Sequence, residues 1–289
     1  MHSSLVILAG GASSRMKKHS ETNGLTPEEI NQANERSKTL IGVGYNGRPL
    51  LDYVLYNAKQ AGYTNIYIII GEKDSLFKKF YGDEANNNSF GLNIAFAIQY
   101  IPKGRLKPFG TADALFQTVE QYPELNNLQY SVCNSDNLYS SKALYALRST
   151  PHPNAFISYD RNALMFTSDR ISSFAVAKLD SENNLLDIIE KPSTKEVENY
   201  KDNEGKIRVS MNAFKFTGQM LYPYLRDCPV HPVRNEKELP TVMLNMLNDG
   251  HSKVKGIPFS EHVPDLTAKE DIAQVKAFLK TNFNDSIWQ

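Results

Sequence analysis

Short, continuously apolar runs alternate along the chain with segments that place an apolar residue at every third or fourth position. Leu5-Val6-Ile7-Leu8-Ala9 is a run of the first kind, ended by Gly10-Gly11. A strand with no polar alternation is buried on both faces, as in the middle of a helix-covered sheet. The same texture recurs at residues 65–70, 92–98 and 130–134. Helical spacing fills the intervals, over 49–60 (Leu50, Leu51, Val54, Leu55 and Ala58, stopping at Gly62), 73–80, 112–122 and 141–148. Strands alternating with helices predict a parallel sheet with helices on both faces.

After Pro151-His152-Pro153 the pattern changes. Strand-like segments at 155–159, 173–179, 185–190 and 208–216 follow one another with little helix between them, and helices are expected near 220–226, 239–248 and 269–280. This half reads as an antiparallel extension of the same sheet. The expected organisation is therefore α/β: one domain over 1–289, with halves at 1–150 and 151–289. The polar stretch 17–37 reads as a surface insertion carrying one short helix, which starts at Thr26-Pro27-Glu28-Glu29.

Composition removes some function classes. Lys plus Arg equals Asp plus Glu, 32 each, so no global field draws nucleic acid or an anionic membrane. Any phosphate must then be held by local groups. Apolar stretches are too short for a spanning helix, and the first one is too short for a signal-peptide core and lacks a basic leader. The two cysteines, Cys133 and Cys228, lack metal-site spacing and fit a reducing, cytoplasmic compartment.

Seven segments carry candidate chemistry. In Leu8-Ala9-Gly10-Gly11-Ala12-Ser13-Ser14-Arg15 a strand feeds a small-residue loop ending in Arg. Glycines allow close backbone approach, free N–H groups cradle phosphate, and Arg15 offers a planar charged fork. A plain turn after a strand would look the same, and the string has neither the Lys-Ser/Thr ending of a P-loop nor the spacing of a dinucleotide fingerprint. Lys38, before an apolar run, reads by itself more readily as an exposed flank, since Lys is usually exposed. Gly110-Thr111 opens a helix, where N–H groups are free. Asp136 follows the strand at 130–134, at the crevice where open sheets bind ligands, and its carboxylate suits Mg²⁺. Glu190-Lys191-Pro192 and Asn212-Ala213 stand at strand positions in the second half. Asp265 precedes the last helix, for which Thr267 and Glu270 form an expected capping box.

Each segment alone is weak, but their order along the chain resembles the sugar-1-phosphate nucleotidyltransferase family from Leu5 to about Leu279. That family's members build UDP-, dTDP-, CDP-, ADP- and GDP-sugars. The resemblance rests on Gly10, Gly11 and Arg15; on Lys38 followed by Gly47-Arg48-Pro49; on Gln99 and Gly110-Thr111-Ala112; and on Asp136, Glu190-Lys191-Pro192, Asn212-Ala213 and Asp265. It implies a Rossmann-like three-layer sandwich with a mixed, mostly parallel sheet. It also implies a Mg²⁺-dependent transfer of a nucleotide from a nucleoside triphosphate to a sugar-1-phosphate. By the same resemblance Arg15 and Lys38 hold the nucleotide phosphates, and Leu8, Ala9, Gly10, Gly11, Gln99, Gly110 and Thr111 form the nucleotide site. Asp136 and Asp265 hold the metal, Glu190 and Asn212 grip sugar hydroxyls, and Lys191 takes the sugar phosphate.

The chain departs from the family pattern in places. Residues 17–37 lengthen the stretch before Lys38, leaving Lys17 and Lys18 as rival phosphate lysines. Phe214 stands where the family usually has Gly, and Ser172-Ser173 where a Tyr-Gly pair is common. The first string also resembles molybdenum-cofactor guanylyltransferase, a family without the Gly-Thr-Ala and Glu-Lys-Pro segments. A non-catalytic nucleotide or nucleotide-sugar sensor is the alternative from another class. Base, sugar and homo-oligomeric state are left open.

Overall fold

The computed structural model describes residues 1–18, 24–82, 87–190, 192–250, 252–285 and 287–288. In chain order its elements are β1 (Ser4–Leu8), α1 (Pro27–Glu35), α2 (Leu50–Gln60), β2 (Asn65–Gly71), α3 (Leu76–Tyr81), β3 (Asn87–Ser89), β4 (Leu92–Gln99) and α4 (Thr111–Gln121). Then follow β5 (Gln129–Asn134), α5 (Ser141–Ser149), β6 (Ala155–Asp160), α6 (Ser168–Ile171), β7 (Ala175–Leu179), β8 (Leu185–Ile189) and α7 (Thr194–Glu198). The last are β9 (Arg208–Thr217), α8 (Gly218–Arg226), α9 (Leu239–Asn248), β10 (Lys255–Phe259) and α10 (Asp271–Asn282).

The strands form a single ten-stranded sheet in the order β10-β6-β9-β5-β1-β2-β4-β3, with β7 beside β9 and β8 beside β7. The centre is parallel: β1 pairs with β2 and β5, and β2 with β4. The second half joins through β9, which runs antiparallel to both β5 and β6. Its companions are less uniformly antiparallel than the sequence pattern suggests. β6 runs in the same direction as β5, and β10 pairs with it in parallel. β10 contains Gly256 and Pro258 and lies at the sheet edge, where proline costs no ladder bond.

The continuous apolar runs are buried on both faces. In β1, Leu5 and Ile7 face a core formed with α2, α5 and α10, while Val6 enters a second core with α4, α8 and α9. Burial of each such aliphatic side chain contributes about 1.5–3 kcal/mol. The described part of the 17–37 stretch is anchored to this framework. Thr26 and Glu29 close a capping box on α1, Ala33 is fully buried, and Glu29 pairs with Lys276 of α10.

The box expected at Thr267 and Glu270 does not form. Asp271 takes its place, its Oδ2 accepting the N–H groups of Thr267 at 2.8 Å and Ala268 at 2.7 Å. This frees the Thr267 hydroxyl to face Asp136 and Asp265.

Candidate active site

At the C-terminal ends of β1, β4 and β5 the chain leaves the sheet and opens a cleft of about 350 Å³. Ala9 makes the last ladder contact of β1, its N–H donating to the Ile69 carbonyl at 2.9 Å. The loop beyond lines the cleft from Gly10 to Arg15. Met16, fully buried, anchors its far end. Ser13 adopts the left-handed region, with φ of 52°, and its hydroxyl accepts the N–H of Lys38 at 3.2 Å. The glycine-rich loop and Lys38 are thus tied together across the whole intervening stretch. Buried Thr39, Leu40 and Ile41 hold Lys38 at the wall of the cleft. Lys17 and Lys18 are exposed and do not line it.

The opposite wall is made by Gln99 and the start of α4. The Gln99 side-chain amide donates to the Gly110 carbonyl and to Asp113 Oδ2, both at 3.1 Å. Those bonds turn its carbonyl oxygen toward Gly10, where a Cβ would stand 3.2 Å from it. Gly110 has φ of 103° and packs directly on the backbone of Lys237. The Ala112 N–H donates to the Lys237 carbonyl at 3.0 Å, and the Lys237 N–H donates to the Phe109 carbonyl at 2.8 Å. Thr111 lines the cleft and caps another helix: its hydroxyl accepts the Leu239 N–H at 3.1 Å.

Asp136 and Asp265 meet although 129 positions separate them. The segments around them run antiparallel, with Asn137 opposite Asp265. Leu138 N–H donates to the Pro264 carbonyl at 2.8 Å, and Leu266 N–H to that of Asp136 at 2.9 Å. The Thr267 hydroxyl donates to Asp265 Oδ1 at 2.6 Å and lies 3.4 Å from Asp136 Oδ2. Each carboxylate has a cation: Lys38 pairs with Asp136, and Arg170 with Asp265 at 2.9 Å. Arg170 also pairs with Asp271. Burial first, then the Asp136 charge, push the Asp265 carboxyl above the usual carboxylate range against the pull of Arg170 and Lys38. Cys133 lies beneath, its thiol pushed well up by burial and so no nucleophile.

Of the residues singled out from sequence, Leu8, Ala9, Gly10, Gly11, Arg15, Lys38, Gln99, Gly110, Thr111 and Asp136 line this one cleft. Asp265 joins through Asp136. Glu190 does not line it, being held by Arg234, which also grips Glu238. Asn212 lies behind the Asp136 loop. Its left-handed backbone, φ of 58°, falls where three residues of β9 oppose one of β6 between the Phe156 and Ser158 pairings. Tyr139 fastens that bulge to the loop, its hydroxyl donating to the Met211 carbonyl at 2.6 Å. Lys191 is outside the described residues. Sequence patterns missed Ser13, Arg170, Lys107 and Glu236. Ser13 lies in the loop string but takes its role from Lys38, and Arg170 from Asp265 and Asp271, partners distant in the chain.

The chain is similar to several known proteins. Over 247 residues, 85% of this chain, it is 24% identical to the bifunctional protein GlmU of Staphylococcus epidermidis, found in more than one strain. The match spans only 45% of that relative's length. Among solved structures it is similar to a Bacillus anthracis protein assigned as a glucose-1-phosphate thymidylyltransferase, in complex with sucrose. There the TM-score is 0.67 at 20% identity over 98% of each chain. It is also similar to a UDP-glucose pyrophosphorylase complexed with UDP-glucose, with a TM-score of 0.68 at 15% identity over 98% of this chain and 100% of the other. These structures share the mixed, mostly parallel sheet flanked by helices. Residues 4–285 match the Nucleotidyl transferase family, from the first residue of β1 to beyond the end of α10, so the chain belongs to that family.

Proposed function

We propose that this nucleotidyltransferase condenses a nucleoside triphosphate with a sugar-1-phosphate to release pyrophosphate, with Mg²⁺ as its metal. The observation that carries this reading is the meeting of Asp136 and Asp265 beside the loop that bears Arg15 and the turn that bears Lys38. A phosphate oxygen of the sugar-1-phosphate attacks the α-phosphorus. The new O–P bond forms as the bond to the β-phosphate bridge breaks, and pyrophosphate leaves with its electron pair. The attacking oxygen is already ionised, so no general base is required. What must be overcome is the repulsion of two anions brought into line.

The residues present fit Mg²⁺. Two carboxylates share one hydroxyl; burial first, then the Asp136 charge, raise the Asp265 pKa, and a divalent cation would offset both costs. Mg²⁺ is usually held by one or two carboxylates, with water and substrate phosphates filling its other positions. No third His, Cys, Asp or Glu joins the pair among the described residues. When bound, the metal would neutralise charge on the phosphates. Lys38, released from Asp136, and Arg15 would take the remaining phosphate oxygens. Gln99 would present its carbonyl oxygen to a base N–H. Both cysteines are free thiols, in keeping with a cytoplasmic enzyme.

The test is pyrophosphate release from a panel of triphosphates and sugar-1-phosphates, with and without Mg²⁺, for the wild type and Asp136→Asn. Release should require one triphosphate, one sugar phosphate and the metal. The substitution should lower kcat/KM by about 10²–10³-fold or more, the scale of losing one charge-stabilising group. Nucleotide binding without release from any pair would select a non-catalytic binder instead.

A further inference from the structure

We infer that Arg170 is a positioning residue, which sets the Asp265 carboxylate for the divalent cation without touching substrate. The inference rests on the reading of Asp136 and Asp265 as a metal pair. Arg170 comes from α6, between β6 and β7, a segment with no sequence signature of its own. Its guanidinium lies over the Phe166 ring at 4.9 Å and is half-buried. One end of the fork bonds Asp265 Oδ2 at 2.9 Å, and the other bonds Asp271.

Every oxygen of the two carboxylates is thereby assigned. Asp271 gives Oδ1 to Arg170 and Oδ2 to the N–H groups of Thr267 and Ala268. Asp265 gives Oδ2 to Arg170 and Oδ1 to the Thr267 hydroxyl, which in turn faces Asp136. Arg170 and Thr267 therefore approach Asp265 on different oxygens, and Asp271 holds both of them. This triangle fixes the rotation of the Asp265 side chain. A rigid planar fork can bridge two carboxylates at once, whereas an ammonium is a single point charge on a flexible stem.

The charges give a second reason. Asp136, Asp265 and Asp271 form three carboxylates against Lys38 and Arg170. Lys38 faces the cleft and is available to phosphate, but Arg170 does not line the cleft. When Lys38 turns to substrate, Arg170 is the cation that stays with Asp265. It offsets the cost of burying that carboxylate beside Asp136 and leaves the oxygen facing Thr267 and Asp136 on the metal side.

The experiment titrates the full-length protein with Mn²⁺ alone, read by water-proton relaxation, in wild type, Arg170→Met, Arg170→Lys and Asp265→Ala. Arg170→Met should weaken Mn²⁺ binding by about 10- to 100-fold, the usual effect of removing an outer-shell partner. Arg170→Lys, which keeps the charge and most of the packing but loses the bridge, should fall between it and wild type. In pyrophosphate release, the Mg²⁺ half-saturation point should rise by the same factor, with a smaller effect on kcat at saturating metal. Folded Arg170→Met that binds Mn²⁺ like wild type overturns the inference. So does a uniform loss of active protein with unchanged Mg²⁺ dependence. Should the Met variant fail to fold, Arg170→Lys with wild-type Mn²⁺ affinity overturns it equally. Wild type and Asp265→Ala binding Mn²⁺ alike would remove the metal pair itself, and the functional reading with it.

Discussion

Gly110 shows how one residue can couple two walls of the cleft. It sits at φ of 103°, a backbone region closed to most side chains, and a Cβ there would run into the Lys237 carbonyl. The same residue receives the Gln99 amide and opens α4. Gly110→Ala must either strain the backbone or separate the 109–112 segment from 237–239. The strain is about 1–3 kcal/mol, so the melting temperature should fall, and the triphosphate KM should rise as Gln99 loses its fixed orientation. Thermal melts and initial-rate kinetics read the two effects. An alanine variant unchanged in both would mean that the close approach to Lys237 has no functional weight. The glycine was visible in the sequence as a helix opener. The need for glycine was not, because the obstructing carbonyl comes from a segment more than a hundred residues later.

At the scale of elements, the glycine-rich loop is held at three points. Met16 is buried beneath it, and Ser13 receives the Lys38 N–H. The third is Lys269, only 4% exposed, whose ammonium donates to the Lys18 carbonyl at 2.7 Å just ahead of α10. Lys269→Met keeps the packed stem and removes the clamp. Loss of one charged hydrogen bond, roughly 1.5–3 kcal/mol, should raise the triphosphate KM by about tenfold or more while kcat changes less. A variant with wild-type KM would show the loop held well enough without it. The sequence reveals such elements unevenly, for physical reasons. β1, β2 and β5 were legible because strands buried on both faces have continuous apolar runs. β3, the triplet Asn87–Ser89, and β10, with Gly256 and Pro258, have no such run, being edge strands. The Thr267–Glu270 box does not form because Asp271, one residue later, accepts the Thr267 and Ala268 N–H groups instead. The Asp136–Asp265 pair was legible through motif order alone. Its clamps, Arg170 and Thr267, and the capture of Glu190 by Arg234 depend on tertiary contacts that leave no local trace.

In the whole molecule, the candidate site and a buried histidine lie at opposite ends of β1. The cleft opens at the C-terminal ends of β1 and β5. At their N-terminal ends His2, 9% exposed, meets the Ser131 hydroxyl at 2.9 Å, with Lys215 and Arg148 nearby. Lys215 is itself buried and donates to the Thr150 carbonyl at 2.6 Å, beyond the last turn of α5, where a cation is favoured. Burial first, then the charges of Lys215, Arg148 and the N-terminus, lower the His2 pKa from 6.5 to about 3. The folded state therefore keeps His2 neutral, while the unfolded chain takes up a proton as pH falls below 6.5. This contribution to stability is intact above pH 6.5. It is lost on acidification down to about pH 3, at about 1.4 kcal/mol per pH unit once the unfolded histidine is fully charged. His2→Gln can keep a partner for Ser131 and cannot titrate. Denaturant unfolding between pH 7.5 and 4.5 should show the wild type losing stability more steeply than the variant below about pH 6.5. Parallel curves would mean that His2 takes up its proton in the fold at the same pH as in the unfolded chain. Because His2 is at the far end of β1 from Asp136 and Asp265, the pH dependence of pyrophosphate release in the folded enzyme should be the same in both proteins. The two readouts then separate acid sensitivity of the fold from that of the site.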